Sequence, residues 1–225
     1  PPDEYFSIIR KICDKYGIML ILDEVMTAFG RTGRFFGYEH FGVKADVIAL
    51  SKGMASGYFP LGAAVTTEKI VDAILDGGGF QHGHTYAGNP MACAVGEAVF
   101  DTIEEQDLVK NSAEVGAYLK EGLERLRTSH RIIGDVRGKG LLLGIELVED
   151  RETKAVFDPG RSANFTLADH AYENGLILYP RRPVNGIRGD HLLVAPPLIT
   201  TEEEADIILD RLDTALERTE KTLFK

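Results

Sequence analysis

The apolar positions of this chain switch between two periods, and the switches divide it into elements. Residues 4–16 (EYFSIIRKICDKY) place Phe6, Ile9, Ile12 and Cys13 at helical spacing, and Gly17 follows as a stop. Residues 18–22 (IMLIL) form an unbroken apolar run too short for a helix, ending at Asp23 and Glu24. Such a run predicts a strand buried on both faces, as in parallel sheets. After a glycine-rich connection over 28–34, residues 46–50 (DVIAL) predict a second buried strand, ending at Ser51 and Lys52. The 29 positions from Asp23 to Lys52 suit a crossover between neighbouring strands. Both charged residues then lie just past the carboxyl ends of strands, where open α/β sheets bind ligands.

Further along, the pattern predicts a strand at 61–66, a helix at 68–75, a glycine loop at 77–79 and a closely packed helix at 91–106. A helix at about 108–127 follows. The texture then changes to an α+β module, with strands near 132–137, 141–148, 176–179 and 191–194 and a helix near 162–174. The last helix starts at Thr200 or Thr201, because Glu203 and Glu204 each stand three residues on, as a capping box requires. Two domains are expected, 1–106 and 107–225, and no internal repeat is visible.

Composition narrows the function classes. The 225 residues are 44% hydrophobic and 27% charged, enough to bury a core. A net charge of −10, with no concentrated run of lysine and arginine, argues against a nucleic-acid partner. No apolar run reaches 18 residues, so no membrane association is expected. The two cysteines, Cys13 and Cys93, fit no metal-spacing motif, and reduced thiols in a cytoplasmic protein are the expectation. The chain opens at Pro1 and runs almost at once into a helix and a buried strand. An N-terminal remainder is therefore expected, as further sequence, a proteolytic partner or another chain.

Lys52 and Asp23 are the candidates for chemistry. A lysine buried after an apolar strand loses solvation, which favours the neutral amine that attacks aldehydes; alternatively its stem simply snorkels to solvent. A strand-end aspartate can be a turn former, yet beside such a lysine it supplies the carboxylate that keeps a pyridine nitrogen protonated. Three histidines, His82, His84 and His191, lack metal-ligand spacing, so no metal is expected. Neither a nucleophile elbow nor a Walker or dinucleotide fingerprint is present.

Residues 20–33 (LILDEVMTAFGRTG), 45–53 (ADVIALSKG) and 84–90 (HTYAGNP), with 136–141 (VRGKGL) and 194–198 (VAPPL), resemble the ordered motifs of class III, or omega-aminotransferase-like, enzymes that use pyridoxal 5'-phosphate. The likeness spans nearly the whole chain and corresponds to the C-terminal portion of such an enzyme. It implies an α/β fold of the aspartate-aminotransferase-like type (PLP fold type I): part of a large, mostly parallel sheet domain, followed by a small α+β domain. It further implies that Lys52 forms the internal aldimine and shuttles a proton, that Asp23 holds the pyridine nitrogen, and that Val25 packs on the ring beside Met26. Thr85 would bind the cofactor phosphate of the neighbouring subunit of a homodimer, although a helix-capping turn threonine is its structural alternative.

Met26 departs from the glutamine of the ornithine and gamma-aminobutyrate branches. Arg31 reads as structural. A substrate carboxylate calls for a bidentate arginine, and Arg181, Arg182 and Arg188 qualify, with Arg188 between Gly186 and Gly189 the expected one. The implied activity is transamination between an amine or omega-amino acid and a keto acid. An aminomutase, a decarboxylating relative or a catalytically silent interaction module are the alternatives.

Overall fold

The computed structural model describes residues 1–182 and 189–224. The chain divides into two compact units, Pro1–Val109 and Lys110–Lys225.

In the first unit, α1 (Tyr5–Tyr16) ends at Gly17, whose φ of +65° lets its N–H return to the Cys13 carbonyl. β1 (Ile21–Asp23) and β2 (Val47–Leu50) pair in parallel, with Asp23 opposite Ala49, and β3 (Ala63–Thr66) adds antiparallel to β2. α2 (Glu68–Asp76) and α3 (Pro90–Glu105) follow. Asp46 fixes where β2 begins: its carboxylate accepts the Leu20 N–H at 2.6 Å and the Arg10 guanidinium at 2.8 Å, tying α1, β1 and β2 together.

The three-stranded sheet is mixed, as a mostly parallel domain allows, and one of its strands departs from expectation. One of its two pairings is antiparallel, because residues 51–62 reverse the chain without a helix that could carry it back across the sheet. The departing strand is β1, which is buried on one face only. Leu22 joins Cys13, Leu20 and Val43 in a small core, whereas Ile21 is 63% exposed. Within this unit no element covers the Ile21 side of the strand, and Ile18 and Met19 before it are also exposed.

The second unit is built around an antiparallel sheet in the order β4-β5-β7-β6, from β4 (Ile133–Lys139), β5 (Leu142–Leu147), β6 (Tyr179–Arg181) and β7 (His191–Val194). Helices α4 (Leu108–Ser129), α5 (Ala163–Glu173) and α6 (Glu202–Leu223) bury Leu119, Leu167 and Leu212 with Ile145 and Leu192 of the sheet in one continuous core. Thr201 is the cap of α6: its hydroxyl accepts the Glu204 N–H, and the Glu204 carboxylate accepts the Thr201 N–H. Near its end β4 needs glycine at Gly138 (φ +130°), where a Cβ would stand 2.1 Å from the Leu142 carbonyl oxygen.

Candidate functional site

Asp23 is the last residue of β1, and Lys52 stands two residues past the end of β2. Parallel pairing brings both to the same edge of the sheet. With strands about 4.8 Å apart and about 3.3 Å per residue, the three-residue offset from Ala49 puts their Cα atoms at most about 11 Å apart. Asp23 is exposed, and its Oδ1 accepts the Val25 N–H at 3.0 Å. Among the described residues Oδ2 has no hydrogen-bond partner, and the Lys52 ammonium has none and no ion pair.

Lys52 is exposed, so the desolvation expected for a buried lysine is not found within this unit. Its position past the strand end, at the start of a 3-10 turn over Lys52–Ala55, leaves it outside the sheet's own packing. Its φ is +41°, a left-handed conformation disfavoured for any residue with a Cβ.

Two residues not singled out in the sequence shape this edge. Glu24, next to Asp23, is buried; its Oε2 accepts the Gly37 N–H at 2.8 Å and the Thr27 hydroxyl, and its Oε1 accepts the Tyr38 N–H at 2.8 Å. This carboxylate folds residues 24–38 into a closed loop, and the Glu24 N–H extends the ladder by donating to the Ala49 carbonyl at 3.0 Å. A polar doublet after an apolar run, with a threonine three residues on, was the available signal. Phe29, on the same loop, is 1% exposed at φ +61° and sits edge-on to Phe35 and Phe100.

Of the remaining candidates, Val25 is half-buried and Met26 exposed, both in the turn after Asp23. Thr85 is exposed in the approach to α3, but the cap of that helix is Asn89, whose Oδ1 accepts the Met91 and Ala92 N–H groups at 3.0 and 3.2 Å. Burial lowers the pKa of the Arg31 guanidinium. In the second unit Arg182 is committed to structure: Nε meets buried Asp190 at 2.9 Å, and Nη2 reaches the Pro159 carbonyl and Ser162 hydroxyl. The Arg181 guanidinium lies over the Tyr179 ring. Arg188 falls outside the described residues. Among those described, no helix is long and apolar enough to cross a membrane.

Comparison with known proteins places the chain in a family. Residues 1–216 match the family described as Aminotransferase class-III. An uncharacterized aminotransferase of Sinorhizobium fredii is 41% identical over 220 residues, 96% of this chain and 46% of that protein. A leucine/methionine racemase of Thermococcus litoralis is 40% identical over 217 residues, 96% of this chain and 46% of its own. The crystal structure of an amine transaminase from an uncultivated Pseudomonas species, in its PLP-bound internal aldimine form, superposes with a TM-score of 0.89 at 40% identity. The superposition covers 97% of this chain and 49% of that one. The chain thus spans about half the length of the curated relatives it matches.

Proposed function

Because the chain belongs to the class-III aminotransferase family, we propose that it supplies the lysine and aspartate of a pyridoxal-phosphate site that moves an amino group between an amine or omega-amino acid and a keto acid. The carrying observation is the pair itself: an amine unpaired among the described residues and a half-free carboxylate, at the carboxyl ends of adjacent parallel strands. Those are the two groups such a cofactor requires, so the residues fit it.

When bound, pyridoxal phosphate supplies an electron sink for a carbanion next to the transferred nitrogen. Lys52 would hold it covalently through Nζ, and Asp23 would hold the ring N–H through Oδ2. Val25 and Met26 would flank the ring, and Thr85 would take the phosphate of the neighbouring subunit in a homodimer. With its nitrogen free, the Lys52 amine would serve as the acid–base group that carries the proton of the 1,3-shift. Arg188 would receive a substrate carboxylate. The first unit would then be the C-terminal part of the cofactor-binding domain, and the second the small domain.

Exposed Ile18, Met19 and Ile21 support a further segment over β1 in the active enzyme, in keeping with the greater length of the relatives. Two free cysteines fit a reducing cytoplasm. The racemase relative favours a second reading, inversion of an amino acid through the same lysine. The relatives named above lend no support to an aminomutase, a decarboxylase or a silent module.

The test is to supply amino donors with pyruvate or 2-oxoglutarate to the protein in the assembly in which it is isolated, following both keto-acid release and donor chirality. Stoichiometric keto acid, lost by at least about a thousandfold in Lys52→Ala, is the expected result. Inversion without keto acid would favour racemisation, and neither would refute both.

A further inference from the structure

The loop that leaves Asp23 returns to touch the turn that carries Lys52. A Cβ placed on Gly53 would stand 3.1 Å from Phe29 Cδ2 and 3.4 Å from Phe29 Cβ, so the Phe29 side chain lies directly on the Gly53 backbone. Behind it, Phe29 is held by Phe35 of its own loop and Phe100 of α3, with ring centroids 5.7 and 5.3 Å away. On the α3 side, a Cβ at Gly96 would meet Leu61 Cδ2 at 2.8 Å. The Ser51 hydroxyl donates to the Leu61 carbonyl at 3.0 Å, closing the base of the turn.

Phe29 and Lys52 are also two of the six non-glycine residues described at positive φ. A bulky, buried residue in that conformation persists only where its surroundings over-determine it. The surroundings here are the Phe35 and Phe100 rings and the Gly53 backbone next to Lys52.

Resting on the functional reading above, we propose that Phe29 is a positioning residue: its side chain, wedged on Gly53, holds the Lys52 turn in its left-handed conformation and so sets where the Lys52 amine points. It couples the Asp23 loop to the Lys52 turn without touching the reacting atoms. A residue with that role, unlike one that only fills a core, changes the proton chemistry at Lys52 when it is cut back, while the protein stays folded and the cofactor stays bound.

The experiment compares wild type with Phe29→Ala, Phe29→Leu and Gly53→Ala, each in native assembly. Without cofactor, hydrogen exchange is read at the Met54 and Ser56 amides, which donate to the Ser51 and Gly53 carbonyls at 3.0 and 3.3 Å. With pyridoxal phosphate, the readouts are cofactor occupancy, the pH midpoint of the visible absorption, and the rate of a single half-reaction. Phe29→Ala and Gly53→Ala are expected to speed exchange at both amides, shift the absorption midpoint and slow the half-reaction about tenfold or more at unchanged occupancy. Phe29→Leu, which keeps a bulky apolar body, recovers the rate to within about threefold.

Wild-type rate and midpoint in Phe29→Ala and Gly53→Ala overturn the proposal. If Phe29→Ala does not fold, wild-type behaviour in Gly53→Ala does so. Absence of a reducible adduct at Lys52 in wild type overturns the functional reading and this inference with it, whereas an adduct with unchanged variants removes this inference alone.

Discussion

Replacing Glu24 with glutamine keeps the volume of the side chain but turns one of its two acceptor atoms into a donor. In the native loop Oε2 serves the Gly37 N–H and the Thr27 hydroxyl, and Oε1 serves the Tyr38 N–H. The Thr27 hydroxyl can rotate to accept from an amide NH2, but a backbone N–H has no such option. Whichever way the amide is turned, one N–H, of buried Gly37 or half-buried Tyr38, faces another donor. An unmatched buried donor costs about 1–3 kcal/mol, and exchanging charged acceptors for a neutral one costs about 1 kcal/mol more.

Glu24→Gln should therefore destabilise this loop by about 2–4 kcal/mol. Since about 1.4 kcal/mol is a factor of ten, exchange at the Gly37 and Tyr38 amides should rise at least about thirtyfold. Hydrogen exchange read by mass spectrometry, beside urea unfolding, measures both. Native protection at those amides with stability within about 0.5 kcal/mol of wild type would refute the claim that this carboxylate organises the loop between Asp23 and β2.

Other consequences are as direct. The Leu20 N–H and the Arg10 guanidinium hold the Asp46 carboxyl below its ordinary pKa. A carboxyl depressed in the fold stabilises it fully above the unfolded value and loses that contribution as pH falls through the folded one, so the loss lies below about pH 4. Urea midpoints between pH 5 and 2 should fall more steeply in wild type than in Asp46→Asn; parallel curves would refute this. Gly116→Ala puts a Cβ 2.3 Å from the Gly140 carbonyl carbon and oxygen, which are backbone and cannot rotate away. It should cost more than about 3 kcal/mol in unfolding free energy. Gly122→Ala meets Leu209 Cδ1 at 2.2 Å, but that side chain can move, so about 1–2 kcal/mol is expected. Equal losses would contradict the distinction.

What could be read from the residues follows from range. Two short apolar runs ending in Asp23 and Lys52 sufficed to place both groups at one sheet edge, since strand ends and parallel crossover are local signals. The α6 cap was legible to within one residue, and geometry chose Thr201 over Thr200 because only its hydroxyl reaches an N–H three residues on. The direction of β3 was hidden, because it depends on how the Lys52 turn closes. So was the uncovered side of β1, because an apolar run specifies what would be buried and not what is present to bury it. The contact of Phe29 with Gly53 joins positions far apart in sequence through a positive φ at a bulky residue, which no periodicity encodes. The commitment of Arg182 to Asp190 is likewise tertiary, and it removes one of three arginines that looked alike in sequence.

The most direct test is where pyridoxal phosphate attaches. The protein in its isolated assembly is incubated with the cofactor, reduced with borohydride, digested, and mapped by mass spectrometry, with Asp23→Asn in parallel. The account predicts a single reduced adduct on the peptide containing Lys52, with cofactor affinity at least about tenfold weaker in Asp23→Asn. An adduct on a different lysine, or none at all, would contradict it.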